Sequence, residues 1–459
     1  MTYVIDGMPV SDQLTGAFAN AVDPNIVQTV ELFTGNIPAE YGSKVSAVAN
    51  ITTKSGLGAG RRFGGSTVLN AARFDLLGLV THLAGETSRF GYSTVINASK
   101  THRYLDSVSL DNLHNGGNNQ RAFSRFDWHP AARDVFRLNL MAGRASFQLA
   151  NLRSQHAHGM DQRQLLRDAA ISFGWVRTLN AQTTFDLNAS ARKAQAWLRP
   201  SPGDIPVTAS QARQMATIVA GARMNALRRR HVLRGGFDIQ RYPLSEHFTF
   251  AITVPGFNAP GNADFNPNLV AHDLTRGGRP FDFFDRRAGG LYSGFFQDSF
   301  SAGRLRLSLG LRFDAYRFLV HGNQLQPRLG ASYLLRQGTV LRASYSRLYQ
   351  TPPNENLLLS SSPRVAALTP PAVQEALGGW APIRPEEQNL VETGLQQAFG
   401  RRASLDVAFY HKNARNLQDN NNFLDTGIIF PLPSPGSAST AWKAASPGRL
   451  SAVFPTLSA

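Results

Sequence analysis

From about residue 62 onward the chain alternates apolar and polar side chains one by one, the period of a strand whose two faces meet different surroundings. The segment 304–313 shows it most plainly: Leu305, Leu307, Leu309, Leu311 and Phe313 share one face, and Arg304, Arg306, Ser308, Gly310 and Arg312 share the other. Phe136, Leu138, Leu140 and Ala142 alternate with Arg137, Asn139 and Met141, and Phe185, Leu187 and Ala189 with Asp186, Asn188 and Ser190. Leu341, Ala343 and Tyr345 repeat the pattern against Arg342, Ser344 and Ser346. A helix would spread such residues around its axis, whereas a strand segregates them. The alternating stretches run to about ten residues, the length a tilted strand needs to cross a bilayer. Soluble sheets use shorter strands, about 5–6 residues.

The connections carry a second regularity, because short and long ones alternate. Tight turns are predicted near 86–88, 130–133, 179–181, 227–230, 301–303, 336–338 and 400–402. Between them fall links rich in Pro, Gly and Asn at 103–118, 147–163, 197–210, 245–286 and 350–386. Short turns at one rim and long loops at the other mark an antiparallel barrel of the outer-membrane kind, with the turns periplasmic. About sixteen strands are expected on this reading, the last near 423–430. Residues 1–60 behave differently: short apolar runs such as Val30, Leu32 and Phe33 lie between turn signals, and we read a small globular α/β element there. Residues 431–459, opening Pro431-Leu432-Pro433-Ser434-Pro435, lose the alternation and are expected to be a disordered or frameshifted tail.

Composition narrows the class. The 459 residues are 42% apolar and 17% charged, against roughly 25% charged in an average soluble protein. No apolar run reaches about 18 residues, so a membrane-spanning reading requires a closed barrel. Cysteine is absent, which removes disulfides, thiolate metal sites and cysteine nucleophiles. The net charge of +16 would attract anionic surfaces. Its arginines recur singly along alternating segments, with no basic block longer than Arg228-Arg229-Arg230, so lipopolysaccharide or anionic solutes fit better than nucleic acid. The first residues, Met1-Thr2-Tyr3-Val4-Ile5-Asp6-Gly7, lack the basic start and apolar core of a signal peptide.

Three ordered blocks carry a resemblance. Residues 4–10 (Val-Ile-Asp-Gly-Met-Pro-Val), 30–42 (Val-Glu-Leu-Phe-Thr-Gly-Asn-Ile-Pro-Ala-Glu-Tyr-Gly) and 48–56 (Val-Ala-Asn-Ile-Thr-Thr-Lys-Ser-Gly) resemble the plug domain of TonB-dependent receptors. The segments 294–298, 309–314, 326–333, 384–387 and 391–394 resemble that family's recurrent barrel segments, so the likeness covers roughly residues 3–430. It implies a mainly β fold: a large antiparallel transmembrane β-barrel of 22 strands with a plug inside. Here that means the C-terminal half of the plug (1–60) and an incomplete barrel (61–430). The resemblance further implies energy-coupled uptake of a scarce bulky solute such as a siderophore, cobalamin or a saccharide at the bacterial outer membrane. The implied partners are the TonB complex, the bulky ligand, outer-membrane lipid and lipopolysaccharide, and the barrel assembly machinery. It implies no covalent chemistry and no cofactor. The TonB box, about six strands and the C-terminal aromatic residue of the family are not found in the sequence, so this chain is not expected to close a barrel alone.

Candidate residues follow. Asp6, Gly7, Glu31, Gly35, Tyr41, Gly42 and Lys54 form the plug motif; the glycines there are expected to serve turns or close backbone approach. Glu31 sits inside an apolar strand and would need a partner to offset desolvation. Plug arginines and barrel glutamates form a lock in many family members; Glu392 matches such a barrel position, while Thr29 and Thr34 stand where the arginines usually are. Phe281, Phe283 and Phe284 form an aromatic cluster that suits a membrane rim, with substrate stacking as the second reading. His156, His158 and Asp161 resemble a metal set only loosely, since His-x-His in a polar loop is ordinarily solvated. No catalytic arrangement or nucleotide loop stands out. Three rivals stay open: a structural or adhesive barrel, a soluble carbohydrate-binding β protein, and a nonfunctional remnant.

Overall fold

The computed structural model describes residues 2–10, 22–43, 45, 47–376, 382–400, 403–424, 426, 428–434, 437–446 and 449–455. Near the N-terminus, β1 (Thr2–Ile5) and β2 (Met8–Pro9) pair antiparallel around Asp6 and Gly7. Their φ angles of +47° and +90° are what a two-residue type I′ hairpin turn demands, and Asp-Gly is a sequence that supplies them cheaply. β4 (Val48–Thr53) runs parallel to β1 and antiparallel to β3 (Val27–Phe33), giving the order β2-β1-β4-β3. Ile5, Met8, Val10, Ile26 and Ile51 of this small sheet pack on Val95, Phe123, Met141 and Ala170 of the surrounding wall. Apolar burial therefore seats one flank of the plug inside the ring.

The wall begins with β5 (Gly64–Ala72), β6 (Leu76–Glu86), β7 (Phe90–Thr101), β8 (Gly117–Ala131) and β9 (Asp134–Gln148). After α1 (Arg153–Ala157) come β10 (Arg163–Asn180), β11 (Thr183–Arg199), β12 (Val207–Arg228), β13 (His231–Ile252) and β14 (Phe281–Ala302). β15 (Leu305–Arg317), β16 (His321–Arg336) and β17 (Thr339–Gln350) lead to three short helices, α2 (Leu357–Ser360), α3 (Pro363–Ala366) and α4 (Pro371–Ala376). Then follow β18 (Glu386–Phe399), β19 (Ala403–Arg415), a separate hairpin of β20 (Leu417–Asn422) and β21 (Ile429–Ser434), and finally β22 (Ser437–Ser446) and β23 (Arg449–Pro455). Each wall strand from β5 to β19 pairs antiparallel with the next, β19 pairs with β22, and the strand order returns through β23 to β5 as a ring. Residue-by-residue register runs through every pair except this last seam.

The faces of the wall are inside out relative to a soluble protein. Along β15, Leu309, Leu311 and Phe313 are 45–47% exposed on the outer surface, while Arg312 and Asp314 are 2% and 0% exposed within. Burying a side chain of that size away from water is worth about 1.5–3 kcal/mol. A wall presenting dozens of them outward is stable only against hydrocarbon. No helix among the described residues is long and apolar enough to cross a membrane.

The six tight turns predicted from 86 to 338 fall where strands reverse, and the seventh, 400–402, lies partly outside the described residues. Several boundaries differ from expectation. β12, β13 and β14 are each 22 residues long, not ten, so the links expected at 197–210 and 245–286 shrink to 200–206 and 253–280. The reason is a change of phase. Up to Ile239 the apolar residues of β13 face outward; beyond Arg241 it is the inward set, Tyr242, Leu244, Phe248 and Phe250, that is apolar and buried. The wall has left the membrane there and packs against its own contents.

The C-terminal part also differs. The strand expected near 423–430 is not a wall strand: Asn416, at φ +55°, breaks β19 from β20, and the β20–β21 hairpin turns into the mouth. There Phe423 sets its ring edge-on to Phe248 (5.3 Å) and Phe250 (5.6 Å). Residues beyond 431, expected to be disordered, include two wall strands. The paired edge of β19 explains this: its amides and carbonyls need partners in hydrocarbon, and 437–446 supplies them from Ala414↔Ser437 to Asp406↔Ala445.

Candidate functional site

The plug meets the wall through a set of inward-facing arginines. Arg328 donates from Nη1 to the carbonyls of Ile37 (3.1 Å), Pro38 (2.6 Å) and Tyr41 (2.7 Å). Arg312 donates to those of Ala39 (3.3 Å) and Glu40 (3.2 Å), and its Nε lies 2.9 Å from Asp314. The Ala39 amide in turn donates to Gln297 Oε1 (2.8 Å), and Arg234 pairs with the Glu40 carboxylate at 3.0 Å. Apart from the Pro38 carbonyl, which also accepts from the Tyr41 amide (3.0 Å), these five backbone groups would be costly to bury unpaired; here the wall satisfies them. Alternation places these arginines, since Arg312 and Arg328 lie on the inward parity of β15 and β16 and face each other across Gly310↔Arg328 and Arg312↔Gln326.

Asp6 anchors the opposite flank. Its carboxylate accepts from Thr53 Oγ1 (2.6 Å), Thr53 N (3.1 Å) and Asn139 Nδ2 (2.9 Å), with Arg125 Nη1 at 3.5 Å. Its carbonyl accepts from Arg137 (2.7 Å), and Arg125 reaches the Thr53 carbonyl at 2.9 Å. Gly7 adjoins Asn188, and a Cβ there would lie 3.2 Å from the amide oxygen. Gly42 has a firmer reason to be glycine: a Cβ would overlap the Arg312 guanidinium. Tyr41 sets its ring 5.4 Å from that of Phe33 at a tilt of 33°, and burial pushes its phenol pKa up. The Lys54 amide closes the sheet by donating to Ile26 (2.8 Å).

Glu31 departs from its expected setting. It is exposed on the plug's edge strand and accepts from Asn50 Nδ2 at 3.2 Å, so there is little desolvation to offset. Glu392 faces the lumen from β18, where a Cβ on Gly35 would lie 2.7 Å from its Oε2. Arg342 links it at 3.8 Å to Asp406, to which Arg342 also donates from Nη1 at 2.7 Å. These groups line a cavity of about 930 Å³ between plug residues 32–36 and the wall from β14 to β19.

Over the plug, the mouth is filled. Helix α2 and the β20–β21 hairpin join Phe248, Phe250, Phe281 and Phe283 in one apolar cluster. Phe281 and Phe283 are 5% exposed in it, whereas Phe284 is 65% exposed on the outer side, so the three do not form one surface. Glu246, fully buried, accepts from the amides of Leu358 (3.3 Å) and Leu359 (2.9 Å), and Arg213 pairs with Glu355 at 2.9 Å. The sequence reading missed Glu246 and Arg213 because it ended the strands below them. His156 and His158 join no metal-capable group among the described residues; the nearby Asp161 is held by His114 (2.6 Å) and Arg163 (2.9 Å).

Comparison with known proteins agrees with this geometry. The family model for the TonB dependent receptor-like beta-barrel matches residues 53–441. No curated protein matches. Among solved structures, the copper transporter OprC superposes with a TM-score of 0.71 at 13% identity, over 97% of this chain and 68% of that one. A ferric enterobactin receptor (PfeA) mutant from Pseudomonas aeruginosa gives 0.69 at 15% identity, covering 96% and 69%. The outer membrane transporter YddB from Escherichia coli gives 0.63 at 14%, covering 97% and 66%, so the chain spans about two thirds of the length of these structures. Their low identity speaks for the fold alone, but the family model spans most of the residues: the chain belongs to the TonB-dependent receptors, transporters built on an outer-membrane β-barrel.

Proposed function

We propose that this chain is the plug-and-barrel portion of a receptor that imports a scarce bulky solute across the bacterial outer membrane, driven through the TonB complex. The observation that carries the reading is the plug–wall contact. One flank of the plug is held by arginine hydrogen bonds to the carbonyls of residues 37–41, which water can replace, and the other is seated by apolar packing. Such a plug can be displaced on its polar flank at small cost while the apolar flank keeps its place. Glu392, with Arg342 and Asp406, would sense that displacement from the cavity wall. The solute belongs to the class of siderophores, cobalamin or saccharides, and the protein performs no covalent chemistry on it. Outer-membrane lipid and the barrel assembly machinery complete the partners.

The test is calorimetric titration of the detergent-purified protein with ferric siderophores, cobalamin and oligosaccharides, followed by uptake of the binder in cells with and without a protonophore. Binding of one class with protonophore-sensitive uptake is expected. Absence of binding across all three, or uptake indifferent to the proton gradient, overturns the reading in favour of a structural barrel or a remnant.

A further inference from the structure

The ladder between β16 and β17 is made only along its lower part. It runs from Arg336↔Thr339 up to Arg328↔Ser346 and stops there. Above that point residues 321–327 of β16 pair with β15 alone, from Arg317↔His321 to Leu311↔Pro327, and residues 347–350 of β17 pair with β18 alone. Pro327 accounts for the halt. Proline has no amide to give and is confined within sheets to a free edge, and Pro327 keeps its place opposite Leu311 on the β15 side. Two side-chain contacts bridge the parted strands instead. The Gln324 side-chain amide faces Arg347, whose Nη2 lies 2.9 Å away, and Tyr349 lays its hydroxyl against Gly322, where a Cβ would overlap it.

Between the parted strands and the chain entering β18 lies a cavity of about 620 Å³, a size within the roughly 300–1,000 Å³ of ordinary ligand sites. Leu319, Val320, Pro382 and Pro385 give it apolar walls. It opens at the outer boundary of the membrane, because the outward residues of β16 change there from Leu329 and Leu325, 44% and 53% exposed, to Asn323 and His321. Three features at this cavity are unspent. Tyr349 is 2% exposed, and its hydroxyl makes no hydrogen bond among the described residues. Arg384 is exposed, and its guanidinium makes no hydrogen bond or ion pair among the described residues. The third is the strand edge of 321–327: toward β17 it has no ladder partner, and Arg317 reaches only the Gly322 carbonyl, at 3.3 Å. Glu387, by contrast, is spent on Arg347 at 3.4 Å.

We propose that this cleft binds an extended acidic peptide, which adds to the free edge of β16 as a strand and sets a carboxylate against Arg384 beside the Tyr349 hydroxyl. A strand edge offers its N–H and C=O groups at a repeat of about 6.5–7 Å, which another extended backbone matches and a sugar ring does not. Entry of the peptide breaks no ladder bond, since none is made above Arg328, and it displaces only the two side-chain bridges. An unspent cation beside a spent carboxylate selects an acidic partner over a basic one. The apolar walls take the alternate side chains of the incoming strand. The site depends on the wall and not on the uptake reading, so a barrel that imports nothing would still show it.

The experiment is fluorescence anisotropy of the full chain in detergent with a labelled pool of short peptides that alternate aspartate with valine, leucine or phenylalanine. Two control pools carry lysine in place of aspartate, or an N-methyl group on every amide. The acidic pool should bind about tenfold more tightly than either control. Arg384→Ser should weaken that binding about tenfold and leave the lysine pool unaffected, and Tyr349→Phe, which keeps the ring and loses the hydroxyl, should weaken it about threefold. Bound peptide should also slow hydrogen exchange at the amides of 321–327. Folding of each variant is checked by the shift between heated and unheated electrophoretic mobility. Absence of binding by the acidic pool overturns the proposal, and a concentration-dependent dimer without peptide binding assigns the edge to a second copy of this chain instead. Equal binding of the N-methylated pool overturns strand addition, and equal binding of the lysine pool overturns the acidic preference. Unchanged affinity in both folded variants, or unchanged exchange at 321–327, overturns the placement.

Discussion

Asp6 shows how much one side chain organises. Its carboxylate is 1% exposed and takes hydrogen bonds from both the plug's own Thr53 and the wall's Asn139 and Arg125. Asp6→Ala would leave those donors buried and unpaired, a loss of roughly 3–5 kcal/mol. It should appear as a lower unfolding temperature and as tryptic cleavage after Lys54 under conditions where the parent resists. Gly42 makes the opposite point. Because Arg312 is pinned between Asp314 and two plug carbonyls, Gly42→Ala has to displace a bonded group, not a free one, and should cost about 1–3 kcal/mol in the same assay. The sequence left open whether these glycines serve turns or close backbone approach. It could not disclose what approaches, since Arg312 lies some 270 residues away and only the register of β15 brings it back. Glu31 was misjudged for a related reason: an apolar strand implies burial only if something covers it, and β3 is an edge.

At the scale of elements, the segment from 351 to 362 is the one most sensitive to its surroundings. Glu246 lies above the phase change of β13, outside the membrane, and burial raises its pKa to about 7 against an ordinary 4.5, opposed by the Leu359 and Leu358 amides and by Arg213, and reinforced by Asp285. A carboxyl whose pKa is raised in the docked state binds its proton more tightly there than when freed into water. Docking of α2 is therefore strongest below pH 4.5, weakens as pH rises through the interval up to about 7, and is level above it. The difference is worth about 3 kcal/mol. Hydrogen exchange at the amides of 357–361 should accelerate between pH 5 and pH 7 beyond the intrinsic base-catalysed increase, and Glu246→Gln should remove the excess. No such device was readable beforehand, because the inward and outward faces exchange character within one strand. A period of two reports that the faces differ, and says nothing of which one is wet.

For the molecule as a whole, the short turns from 86 to 338 were legible to within a few residues, since tight turns offer few alternatives, whereas the upper ends of β12, β13 and β14 and the wall strands β22 and β23 were not. Nor was the filled mouth, because 253–280, 351–376 and the β20–β21 hairpin pack by contacts between segments far apart in the chain. The outward apolar band predicts that the protein partitions with membranes and leaves them only in detergent; recovery of folded protein in buffer alone would contradict the barrel reading and restore the soluble carbohydrate-binding one. The phase change in β13 also sets a height. Eleven further residues of tilted strand, from Arg241 to Ile252, raise the rim roughly 25–30 Å above the lipid. The packed cluster in the mouth thus stands in open water, well clear of the charged headgroup layer, and closes the way from outside to the depth at which the plug sits.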